Sequence, residues 1–112
     1  MEREIIFSKK VELYLDELMF LLYEKEYFGF PDSAKLYVDR LVLFVEQNIG
    51  ILPGKIAPEY FHRFGKDLRY ITFNANKRTS WYIFYQERNN IYLVRYITNN
   101  HVSSQHFNIL SL

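Results

Sequence analysis

Residues 79–97, TSWYIFYQERNNIYLVRYI, constrain the fold more than any other part of the chain. Two runs rich in aromatic and β-branched residues flank the polar break Arg88-Asn89-Asn90. Such side chains fit a pleated, half-buried surface, and Asn tolerates the left-handed backbone of a tight hairpin. The pattern predicts strands over 79–87 and 91–97. Alternation puts Trp81, Ile83 and Tyr85 on one face of the first and Tyr82, Phe84 and Gln86 on the other. The Trp81 face is expected against helices, leaving Tyr82 and Gln86 on an opposite, partly open face.

Upstream, residues 4–7 form another strand candidate. Ser8 is placed to cap a helix, its hydroxyl accepting from a free N–H of the first turn. Val11, Leu15, Leu18 and Leu22 recur at helical spacing, with Tyr14 and Leu21 widening the stripe. Gly29, Phe30 and Pro31 break that helix. Asp32 caps a second one, whose apolar face is Val38, Leu41, Val45 and Ile49. Gly50 suits the left-handed position that ends it. Residues 51–66 hold two of the three prolines and two of the four glycines, so they read as a loop with a helical turn at 59–63. A strand over 68–74 and a turn at Asn74-Ala75-Asn76 complete the order β-α-α-β-β-β. One α+β domain over residues 1–112 is expected, an antiparallel sheet packed on a helical hairpin.

Composition narrows the chemistry. There is no cysteine, hence no disulfide or thiolate chemistry. Glu2, Arg3 and Glu4 are unlike a secretory leader, and the longest apolar run, residues 18–23, is too short for a bilayer. A cytoplasmic protein without membrane partners is expected. Three histidines without ligand spacing predict no metal, and no phosphate-binding Gly loop or serine triad predicts a cofactor or acyl chemistry.

Net charge is +1 but uneven. Residues 1–54 carry six Lys/Arg against ten Asp/Glu, a balance of −4; residues 55–112 carry eight against three, a balance of +5. The basic half also holds all three histidines. A local positive field can steer a polyanion even when the whole chain is near neutral.

Cleaving RNA through its own 2′-hydroxyl needs a base, an acid and cations around the phosphate, but no metal. Histidine suits the proton transfers, with both forms present near neutrality. His101 and His106 are the candidates, and they converge if 102–105 turn, which Ser103 and Ser104 permit. The alternative is that both face solvent. Arg69, Arg78, Arg95 and Lys77 are candidate phosphate contacts, and Tyr82 a platform for a base. Trp81 is expected in the core and His62 in a packing or surface role. Arg95 sits inside an apolar strand, where an unpaired guanidinium is costly. It is expected either to pair with a carboxylate or to point into a site.

The order of elements and the segment WYIFYQERNNIYLVRYITNNH resemble the RelE/ParE superfamily of toxins from bacterial toxin–antitoxin pairs. The resemblance covers most of the chain and implies a cognate antitoxin as partner and, in the ribonuclease branch, messenger RNA on the ribosome as substrate. That branch uses a cation on the penultimate strand, a basic or His residue just after the last strand and a Tyr near the C-terminus. These positions fall on Tyr82, His101 and Phe107. Tyr82 has no charge and Phe107 no hydroxyl, so Arg78 or Arg69 would serve the phosphate and His106 the proton transfer. The gyrase-poisoning branch needs no nuclease residues, and a degenerate, inactive member is a third possibility.

Overall fold

A computed structural model describes residues 2–24 and 31–107. Strand β1 (Glu4–Phe7) is followed by α1 (Lys9–Glu24), α2 (Pro31–Asn48), β2 (Lys55–Ile56), a 3₁₀ helix (Glu59–Phe64), β3 (Arg69–Asn74), β4 (Ser80–Arg88) and β5 (Ile91–Asn99). One helical turn, α3 (Asn100–Ser103), and a 3₁₀ turn (Ser104–His106) close the described chain. The class is α+β.

The sheet differs from the expected one. It has five strands in the order β1-β5-β4-β3-β2 and is mixed, because β1 runs parallel to β5, Glu4 opposite Ile91 through Phe7 opposite Val94. Parallel neighbours need a long crossover, and everything between β1 and β5 supplies it. Strand β2 lies in the segment expected as loop. Its two residues are exposed, so there was no alternation to read.

Local signals formed largely as expected. The N–H of Val11 donates to Ser8 Oγ at 3.2 Å, capping α1. Gly50 has φ +81°, and a Cβ there would stand 2.5 Å from Tyr92 Cζ, so both backbone and space require glycine. Asn89 and Asn90 have φ of 51° and 68°, the pattern of a type I′ hairpin turn. The proposed break at Gly29 and Phe30 lies outside the described residues; α2 begins at Pro31, so Asp32 falls within its first turn and not at the cap position ahead of it.

Val11 and Leu18 of α1 and Val38, Leu41 and Val45 of α2 are buried against Ile71, Trp81, Ile83, Tyr85 and Val94 of the sheet. Leu21 does not join this stripe; it is 41% exposed, and Met19 packs on the cluster instead. The indole N–H of Trp81 donates to Tyr37 Oη at 2.8 Å, satisfying the polar edge of a buried ring.

On the other face of the sheet Tyr82 and Gln86 are half-exposed, as expected, but the centre at Phe84 is closed. The 59–64 helix lies across it, and Phe61 and Phe84 are fully buried, ring centroids 4.4 Å apart. Tyr60, Phe64, Tyr70, Tyr82, Tyr96 and Phe107 surround them. The high aromatic content, 19%, thus fills two thin layers, one on each side of the sheet.

A single irregularity interrupts the β4–β5 ladder. Tyr85 pairs with Val94 and Phe84 with Tyr96, leaving Arg95 as the extra residue of a bulge. The bulge keeps Val94 and Ile97 on the helix side and Tyr96 on the other, while re-aiming Arg95 outward.

Candidate functional site

Arg95 is exposed and makes no ion pair among the described residues, so the carboxylate expected as one alternative is not there. It lines a cavity of about 610 Å³. Strand β1 stops at Phe7 whereas β5 runs on to Asn99. The chain leaves the sheet at Ser8, whose N–H donates to Val94 O at 2.9 Å, and turns into α1. The β5 edge beyond Val94 therefore stays open, walled by the start of α1, the 59–64 helix and α3.

Four cations line this space: Lys9 and Lys10 from the first turn of α1, Arg63 from the 59–64 helix and Arg95 from the bulge. No carboxylate is among its lining residues. Four like charges on one space raise the local potential and favour an anion, and the start of a 16-residue helix adds the same sign. Glu12 sits in that first turn, however, and Asp67 lines an adjoining hollow that Arg63 and Arg95 share. Phe64 and Tyr96 form an aromatic wall, stacked at 3.8 Å and 7° from parallel. Tyr14 also lines the space. Burial, then Tyr96 and Tyr37, push its phenol up to about 12, so it stays a neutral hydroxyl near neutral pH.

The tail after β5 does turn back. Asn99 Oδ1 accepts from the N–H of His101 at 2.9 Å and of Val102 at 3.2 Å, and buried Thr98 and Ser103 join hydroxyls at 2.8 Å. The two imidazoles take different partners. His106 stacks on Tyr60 with centroids 3.4 Å apart and planes 8° from parallel. The Arg63 guanidinium carbon sits over the same ring, 4.1 Å from its centroid, so one tyrosine lies between His106 and a cation of the cavity. His101 is exposed, its Nε2 3.0 Å from Thr79 Oγ1. Next to it, Asn100 accepts from Ser80 N–H at 2.9 Å and donates to Arg78 O at 3.0 Å. The two histidines share no hydrogen-bond partner among the described residues, and neither lines the four-cation cavity.

The other candidates are spread out. Arg69 Nη1 donates to Gly54 O at 3.2 Å at the start of β3. Lys77 and Arg78 are exposed in the turn beyond its far end, roughly 17 Å along the strand at about 3.3 Å per residue, so Arg69 and Arg78 cannot hold one phosphate. Tyr82 stacks on Phe107 at 4.1 Å. His62 Nε2 lies 3.3 Å from Ala57 O.

Sequence reasoning missed Lys9, Lys10 and Arg63. The two lysines lie in the half with a balance of −4, so a charge count by halves concealed them. A shorter window would have found the adjacent pair, but nothing local links it to Arg63.

No group of metal-ligating side chains occurs among the described residues, and none of their helices is long and apolar enough to cross a membrane. No family model, curated protein or solved structure matches the chain.

Proposed function

We propose that this protein is a toxin-like endoribonuclease of the RelE/ParE kind, acting on messenger RNA at the ribosome in the cytoplasm and restrained by a cognate antitoxin. The observation that carries the reading is the refolded tail. It sets His106 against Tyr60, whose ring also carries Arg63, beside a cavity holding three more cations. Two of the three positions matched to the ribonuclease branch, Tyr82 and Phe107, are in stacking contact.

In the reaction the 2′-oxygen attacks the adjacent phosphorus and loses its proton to a base. The bond from phosphorus to the 5′-oxygen breaks, an acid protonates that oxygen, and a 2′,3′-cyclic phosphate and a 5′-hydroxyl remain. His106 and His101 are assigned the proton transfers and the arginines the developing phosphate charge.

A second reading has its own support. The Tyr82–Phe107 stack fills with packed rings two positions that the ribonuclease branch uses for charge and hydroxyl. That favours a non-enzymatic member, a gyrase inhibitor or an inactive relative. Induced expression separates them. The ribonuclease reading expects growth arrest with depleted messenger RNA, relieved by His101→Ala or His106→Gln in protein that still folds. Arrest with intact messenger and damaged DNA selects the gyrase inhibitor, and no arrest at all selects the inactive relative.

A further inference from the structure

The cavity at the β5 bulge is distinct from the places where the two histidines sit, and its composition names a ligand. Lys9, Lys10, Arg63 and Arg95 come from three separate elements and face one space without a carboxylate. All four are exposed, so solvent screens their mutual repulsion in part, and a bound polyanion removes what remains. Surface lysines left to solvent would need neither the bulge that redirects Arg95 nor a concave setting. The volume, about 610 Å³, exceeds what a lone phosphate needs, and the Phe64–Tyr96 pair gives part of the wall an aromatic character. Cations for a phosphate beside rings for a base are the two halves of a nucleotide site on a single strand.

We infer that this cavity binds one nucleotide of a single-stranded RNA, its phosphate held by Arg95, Arg63, Lys9 and Lys10 and its base against Phe64 and Tyr96. The inference rests on the ribonuclease reading for the identity of the strand and locates where that strand is gripped beside the cut. The site itself is tested apart from cleavage, because binding can be measured on RNA that cannot be cut.

The probe is a short fluorescein-labelled RNA with 2′-O-methyl riboses, followed by anisotropy across a salt series. Arg95→Gln and the double variant Lys9→Gln/Lys10→Gln are each expected to weaken binding about tenfold. The salt slope should fall by about 0.7 for each phosphate that is no longer neutralised. Arg40→Gln, an exposed cation on α2, should bind like wild type, and circular dichroism checks that all variants fold. AMP should displace the probe at lower concentration than inorganic phosphate, and adenosine should not displace it. Wild-type affinity and slope in both cavity variants would overturn the site; so would equal competition by AMP and inorganic phosphate, which removes the base from the proposal. Wild-type protein that binds through Arg95 yet neither cleaves RNA nor arrests growth keeps the site and sinks the nuclease. Protein that cleaves, with Arg95→Gln cleaving and binding equally well, does the reverse.

Discussion

Phe107 lies against Tyr82, ring centroids 4.1 Å apart and planes 29° from parallel, and that contact fastens the tail to the middle of the sheet. Phe107 also meets Phe61 at 4.9 Å and Tyr70 at 5.3 Å. It is half-buried, so Phe107→Ala is expected to cost about 2 kcal/mol, less than the roughly 3–5 of a fully buried phenylalanine. The urea midpoint measures it. Because His106 precedes Phe107, its imidazole NMR signals should shift toward solvent values in the same variant. A variant as stable as wild type would mean that the tail does not anchor here.

Gly50→Ala tests the join between α2 and the sheet. The position has φ +81°, where an L side chain costs about 1–2 kcal/mol, and the new methyl would collide with the Tyr92 ring. A loss of about 2 kcal/mol or more is expected, read as a lower thermal midpoint. An unchanged midpoint would show that this turn has another conformation.

Tyr14 gives the fold an alkaline limit. Burial, with smaller contributions from Tyr96 and Tyr37, raises its pKa from 10.0 to about 12. The folded state thus holds the phenolic proton more tightly than the unfolded chain. That contribution is fully present below pH 10 and is lost as pH rises through about 12. Two units correspond to roughly 2–3 kcal/mol. Tyr70 and Tyr85 are also raised by burial, so Tyr14→Phe should flatten the decline without abolishing it. Urea titrations between pH 8 and pH 12 decide; an identical decline in the variant would place Tyr14 outside the core.

Deleting Arg95 should leave the ladder intact. Val94 and Tyr96 would become neighbours while keeping their partners Tyr85 and Phe84, each on its own face. Deleting Leu93 instead makes Tyr92 and Val94 adjacent, and adjacent residues cannot both face the helices. The first deletion is expected to unfold cooperatively near the wild-type midpoint, the second to lose the cooperative transition. Equal damage from both would argue against the bulge.

Much of the framework was legible because it depends on neighbours in the chain. Ser8, Gly50 and Asn89-Asn90 act through backbone groups a few residues away, and the stripes of Val11, Leu18, Leu41 and Val45 repeat at the helical period. The misreadings share a cause. Leu21 sat at the margin of a stripe, where Met19 packs instead. Phe61, Phe64 and Phe107 cover the second face from segments with no periodicity, so the layer they build left no mark in the pattern. Strand β2 is too short to alternate.

The candidate site was legible only in part. His101 and His106 stood out as imidazoles after a strand, but their partners Thr79 and Tyr60 lie far back along the chain. Arg95 was conspicuous as a charge in an apolar run, and only the pairing of β4 with β5 made it the extra residue of a bulge.

The chain's own order of residues determined which of the longer segments are helix and which strand, where the β4–β5 turn falls and which side of β4 meets the helices, because those outcomes follow from bonds and periodicities within a few residues. Tertiary structure alone decided that β1 lies parallel to β5, that aromatic rings cover the centre of the second face, and that Lys9, Lys10, Arg63 and Arg95 share one cavity. Each of these depends on how strands of unequal length are placed side by side, and no local stretch of sequence carries that information.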